Sequence, residues 1–167
     1  DIAGVDAHAY AVAVDGQGAC VVAGMVVTPK EADRTASLVF SLDAAGRPRW
    51  TMTGNGSTGF PGVARGAAFL PGGIVVVGGS ATEPDADGRV GWFVRGFGPD
   101  GREAWSRSGA GSAGGVLSVN ALAGDGDGHL VVAGGEVEDW RVRAERWVVW
   151  RRDARGGAGW NAAWAEI

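Results

Sequence analysis

Cysteine occurs once in these 167 residues, at Cys20, so no internal disulfide can staple the fold and no cysteine-rich zinc site can be built. In GACVVAG this thiol sits in a strand-like apolar run and reads as a buried, inert packing residue. Histidine occurs only at His8 and His129, without a metal-ligand spacing, and no metal is expected. Lysine is confined to Lys30. With a net charge of −4 and a pI near 5.1, the chain lacks the basic face that phosphate backbones require, which argues against nucleic acid as a partner. No apolar run approaches the ~18 residues of a membrane helix, so no membrane span is expected. No basic segment followed by an apolar one opens the sequence. Starting at Asp1, it reads as a mature secreted protein or a piece of a longer chain. Neither a G-x-S-x-G elbow nor a P-loop lysine is found, and the reading expects no catalytic residues and no cofactor.

What the chain does contain is glycine, 31 residues of it, and eight tryptophans, arranged with a period. Gly24, Gly78 and Gly134 each close an apolar run, VVAG, IVVVG and LVVAG, at steps of 54 and 56 residues. Trp50, Trp105 and Trp160 recur at steps of 55, and each follows a glycine (Gly46, Gly101, Gly156) by four residues. A period of this length marks stacked repeats. Each unit offers four short β-branched or alternating runs separated by turn signals, for example Tyr10–Val14, VVAGMVV, SLVFSLD and RWTMT in the first. Gly46 and Gly101 are expected to supply a positive φ in tight hairpins. The chain therefore reads as one domain, 1–167, of approximate repeats 7–57, 62–112 and 116–167.

The order of strand, glycine, polar loop, strand and then D-x-x-G-x-x-x-W or PDG-x-x-x-W resembles the bacterial β-propeller repeats of the SBBP and delta-60 kind. The matching pieces are Val22-Ala23-Gly24 with Leu42-Asp43-Ala44-Ala45-Gly46 and Trp50, and Val77-Gly78-Gly79 with Pro99-Asp100-Gly101 and Trp105-Ser106. Kelch repeats and quinoprotein-type repeats share parts of the pattern. The third copy departs from it at Arg151-Arg152-Asp153. The resemblance implies an all-β, β-propeller-like fold of three four-stranded antiparallel blades, either a partial propeller or half of a larger ring. It points to an extracellular or cell-surface binding and scaffold module without catalysis, periplasmic as a variant. The alternative is a channel-based propeller enzyme completed by further blades.

Ligands of such a module are expected on its variable loops, because a rigid sheet scaffold tolerates change there. The loops at 28–36, 81–89 and 136–146 carry the charge and are expected on one face. Candidate ligand-binding residues are Lys30, Glu31, Asp33 and Arg34, then Glu83, Asp85, Asp87 and Arg89, then Glu138, Asp139, Trp140 and Arg141. Trp140 stands out as an aromatic anchor in a polar rim, the residue type that dominates interface energies. The partner would be a protein or a carbohydrate. Asp125 and Asp127 in GDGDGHL share two ligands with a calcium loop but lack its distal Glu, so a hairpin turn is expected. Trp50, Trp105 and Trp160 are assigned to packing between blades. Three blades are too few for a ring. Residues 10–14 and 147–150 are therefore expected on open faces, to be covered by further blades or by a second copy.

Overall fold

The computed structural model describes residues 6–28, 34–54, 62–81, 91–110, 116–139, 144–153 and 161–165. Among them every regular element is a strand. β1 (Ala7–Val14), β2 (Cys20–Thr28), β3 (Arg34–Leu42) and β4 (Pro48–Thr53) form sheet 1. β5 (Gly62–Leu70), β6 (Ile74–Ala81), β7 (Gly91–Phe97) and β8 (Glu103–Ala110) form sheet 2. β9 (Val116–Gly124), β10 (Leu130–Asp139), β11 (Ala144–Arg152) and β12 (Asn161–Ala165) form sheet 3. Each sheet is an antiparallel meander whose strands lie side by side in chain order.

The turns explain why chain order becomes spatial order. Asp15, Asp43 and Asp125 each accept two backbone N–H bonds on Oδ1, from the second and fourth residues beyond. A glycine three residues on, Gly18, Gly46 or Gly128, completes the hairpin with φ between 76° and 86°. Gly101 does the same at φ 80° after Gly98-Pro99-Asp100. The aspartate satisfies amides that the tight turn would otherwise strand, and glycine avoids the Cβ penalty of the left-handed region.

The sheets stack in order 1, 2, 3. Sheet 2 places Val75, Val77, Phe93 and Phe97 against Val21, Ala23, Val39 and Trp50 of sheet 1. Its other face places Ala68, Val76 and Val94 against Val119, Leu130, Val132 and Trp150 of sheet 3. A strand with this burial on both sides has no polar alternation to show, which is why β6 reads as a continuous apolar run. The first strands are neighbours along the stack, β1 beside β5 and β5 beside β9.

The register differs from the sequence expectation in one informative way. A Cβ on Gly24 would strike the carbonyl of His8, one on Gly79 that of Val63, and one on Gly134 that of Ser118. Gly79, not Gly78, is thus the counterpart of Gly24 and Gly134, and the steps become 55 and 55, the same as those of the tryptophans. Gly78 has a different task, admitting Val119 and Leu122 of sheet 3. The double glycine concealed the choice. Bulges obey the same period: Tyr10, Arg65 and Asn120 are the extra residues where β1, β5 and β9 slip against their partners.

The expected loops are also shortened. Arg34 pairs with Thr28 at the start of β3, and Asp139 pairs with Ala144 at the end of β10, so Arg34, Glu138 and Asp139 belong to strand ends rather than loops. β-branched Val26, Val27, Thr28 and Thr35 in one hairpin, and Val137 in the other, carry the ladder outward.

Candidate ligand-binding site

The side chains proposed from sequence for ligand binding lie outside what the structure describes. Lys30, Glu31, Asp33, Glu83, Asp85, Asp87, Arg89, Trp140 and Arg141 are outside the described residues, and only the backbones of Arg34, Glu138 and Asp139 are described. The strand ends flanking residues 29–33, 82–90 and 140–143 fall at the end of each sheet opposite the Asp15, Pro71 and Asp125 turns, as a meander requires.

A different place emerges between sheets 2 and 3. A crevice of about 400 Å³ is walled by Trp92 on β7, Trp105 on β8 and Trp150 on β11, and floored by Val94, Leu117, Leu130 and Val132. Glycines make the aromatic wall possible. Trp105 stands opposite Gly96 and its indole lies across that residue, while Trp92 stands opposite Gly109 and does the same. A side chain on either glycine would occupy the space of the ring. Trp92 and Trp150 meet across the crevice with centroids 5.4 Å apart and planes tilted by 35°, within the range of favourable aromatic contact distances. The indole Nε1 of Trp105 is buried and finds no acceptor among the described residues. Arg107 and Arg152 stand on the same lining. Arg107 is exposed and donates one Nη1 bond to the Ser106 carbonyl at 2.8 Å. Volume, aromatic lining and a few directed polar groups are the attributes of a small-molecule seat.

The recurrent tryptophans do pack between sheets. Trp50 lies 5.8 Å from Phe97 of sheet 2, and Trp105 packs against the core shared by sheets 2 and 3, while Trp160 is outside the described residues. The sequence assigns Trp105 to packing, gives Trp92 no role and places Trp150, within 147–150, on an open face; Trp150 instead turns inward onto Trp92 of sheet 2. The pairing of Trp92 and Trp105 with glycines one strand away was the legible signal, hidden because register was unknown.

A second, more open depression of about 730 Å³ lies where the β1–β2, β5–β6 and β9–β10 turns meet, bordered by Asp15, Gln17, Arg49, Pro71 and Asp125. Its acids are committed to the turns. Asp125 also takes Nε and Nη2 of Arg151 on Oδ2 at 3.2 and 2.8 Å, and the same Nη2 lies 2.9 Å from Nδ1 of His129. A guanidinium can only donate, so Nδ1 is the acceptor in that contact. The backbone N–H of His129 is the main cause that holds the Asp125 carboxyl at about 2, below the usual 3.8 of an aspartate; desolvation opposes it, and the Arg151 guanidinium adds a weaker pull downward. With both oxygens engaged in this way, Asp125 serves the hairpin that the sequence reading expected.

Two further charges are buried. Arg95, turned toward sheet 1, reaches Glu103 at 3.2 Å, and Glu136 receives Nε and Nη2 of Arg146 at 2.9 and 2.6 Å across the β10–β11 ladder. Among the described residues, no three His, Cys, Asp or Glu side chains are grouped to hold a metal ion, and no helix is long and apolar enough to cross a membrane. The chain matches no family model, and no curated protein shows significant similarity to it.

Proposed function

We propose that this chain is a β-propeller-type module of SBBP-like repeats, working at the cell surface or outside the cell as a non-catalytic binding unit, and that its ligand is an acidic saccharide. The observation that carries the reading is the crevice between sheets 2 and 3. Indole faces suit the apolar C–H faces of a pyranose ring. The exposed Arg107 on the lining supplies the positive charge that a carboxylate prefers. Radially arranged sheets with inner first strands also fit the neighbouring placement of β1, β5 and β9.

Titration with a uronic acid oligosaccharide, followed by tryptophan fluorescence and calorimetry, tests this. Binding should be lost in Trp92→Ala and weakened at least tenfold in Arg107→Ala, with a neutral oligosaccharide of equal length binding far less. If Trp140→Ala abolishes binding and Trp92→Ala does not, the seat is at the loop end and the crevice reading fails. An absence of uronate binding by the unaltered chain would refute the ligand assignment.

A further inference from the structure

The two junctions inside the molecule are made by one rule. Shifting residue numbers by 55 carries the face that sheet 1 presents to sheet 2 (Val21, Ala23, Val39) onto the face that sheet 2 presents to sheet 3 (Val76, Gly78, Val94). It likewise carries Val75 and Val77, which sheet 2 turns toward sheet 1, onto Leu130 and Val132, which sheet 3 turns toward sheet 2. The stacking is therefore head to tail: each sheet has a front that receives and a back that is received. Among the described residues two faces have no neighbouring sheet, the back of sheet 1 and the front of sheet 3.

The exposed large apolar residues of the described structure fall on or beside these two faces. On the back of sheet 1, Val12 and Val14 are 66% and 63% exposed, with Tyr10 at the adjoining bulge at 44%. On the front of sheet 3, Trp147 is 67% exposed. Their counterparts inside the stack are covered: Ala67 in place of Val12 is buried, and Trp92 in place of Trp147 rests on Trp150. A set of bulky apolar side chains confined to the two ends of a polar stack marks contact surfaces.

We propose that these end faces bind each other, the front of sheet 3 in one chain receiving the back of sheet 1 in a second copy, and reciprocally. The occupant follows from the internal junctions, because a back face of this repeat is what every front face here already takes. The same 55-residue shift specifies the contact. Trp92 packs on Trp150 at the junction of sheets 2 and 3, so Trp147 should pack on Phe40 of the second copy, the residue standing in the place of Trp150. On the back of sheet 1 Val26, Ala36 and Leu38 are already buried within the chain, so the open part of this face is the half nearer the Asp15 turn, where Val14, Val12 and the partly buried Phe40 lie. Among the described side chains of the receiving face, Arg151 is charged and Asp125 matches that charge, so covering it leaves no lone cation. A contact between unlike faces closes into a ring when its rotation permits and otherwise continues as a filament. Two chains are the smallest closed assembly, and this inference stands whether or not the crevice holds a saccharide.

The test is the mass in solution, by light scattering and sedimentation from micromolar to several hundred micromolar. The unaltered chain of 17.0 kDa should associate to twice that mass. Val14→Asp and Trp147→Asp each spoil one partner of every junction, so each alone should remain a single chain with unchanged circular dichroism and with the melting of the unaltered chain at high dilution, where that chain is also single. Mixed together they retain one intact front and one intact back, and the mixture should recover the two-chain mass. Labelling of Cys20, which sits on the back of sheet 1 in the place of buried Val75, should slow as the chain associates. A single-chain mass for the unaltered protein at the highest concentration overturns the proposal. So does an associated Val14→Asp variant, which would mean like faces pair with like, or a mixture that stays apart.

Discussion

The junction between sheets 1 and 2 and the junction between sheets 2 and 3 are built from the same positions, yet one is closed and the other gapes. In the first, the gap among Ser37, Met52, Val77, Phe93 and Arg95 holds about 10 Å³. In the second, the crevice among Trp92, Trp105, Trp150 and their neighbours holds about 400 Å³. The 55-residue shift turns Ser37 into Trp92, Met52 into Arg107 and Phe97 into Arg152. Ser37 is small enough to let sheet 2 approach, and its hydroxyl donates across the junction to the Gly62 carbonyl at 3.1 Å. Trp92 at the same place cannot make that bond, and it props the sheets apart on Trp150. A repeat fold thus keeps its stacking rule while single substitutions set how tightly each junction shuts.

The comparison can be broken hardest at the glycines. Gly79→Ala should cost about 3 kcal/mol or more, since its methyl meets the Val63 backbone inside a sheet packed on both faces, and overpacking of a rigid site falls at the upper end of its usual range. Gly134→Ala makes the same clash in sheet 3, whose front is free to relax, and should cost less in the same urea titration. Next in size, Phe97→Ala should lose about 3–4 kcal/mol by emptying a closed junction. Trp150→Ala should lose less than half of that, because it enlarges space already present. Equal losses would mean that the crevice is closed in solution.

A smaller effect has opposite signs at the two junctions. Val39 and Val94 are counterparts, the first fully buried and the second on the crevice floor. Val39→Leu should destabilise by about 1–2 kcal/mol through overpacking. Val94→Leu should stabilise by about 0.5–1 kcal/mol through filling. Thermal melts of the two variants side by side decide it. Smallest is the pH effect at the sheet 3 turn. Asp125 has a folded pKa of about 2 against the 3.8 of an ordinary aspartate, so its contribution is present above about pH 4 and fades as the pH falls toward 2. Asp125→Asn should remove that part of the acid sensitivity, seen as a flatter melting temperature between those pH values.

Much of this architecture was legible because strands and turns are local. The apolar runs at 20–27, 74–80 and 130–135 became β2, β6 and β10, and the D-x-x-G signals became hairpins with glycine at positive φ. Register was less legible, since Gly78-Gly79 offers two glycines and only the close approach of the Val63 carbonyl tells which one matches Gly24. The expectation that 10–14 and 147–150 lie on open faces holds for Val12, Val14 and Trp147. It fails for Val148, which is buried, and for Trp150, which packs on Trp92, because alternate residues of one strand face opposite ways and the face of each was not known. The crevice was not legible: Trp92 and Trp150 are 58 residues apart, and their meeting depends on how one sheet lies upon another. Nor could charge alone show that Glu136 and Arg146 would pair across a ladder instead of facing water from a loop.

The bulges at Tyr10, Arg65 and Asn120 bear on how such a chain diverges after duplication. Each bulged residue stands outside the alternation that forces its neighbours to be apolar on one side and compatible with the next sheet on the other. The packing between sheets does not dictate the residue type there, and the three copies carry an aromatic, a cation and an amide at one equivalent position. They lie on successive neighbouring strands, where the Arg65 guanidinium already rests 5.3 Å from the centre of the Tyr10 ring. Duplication therefore yields, one per copy, a column of side chains that mutation can rewrite independently while the fold is inherited intact.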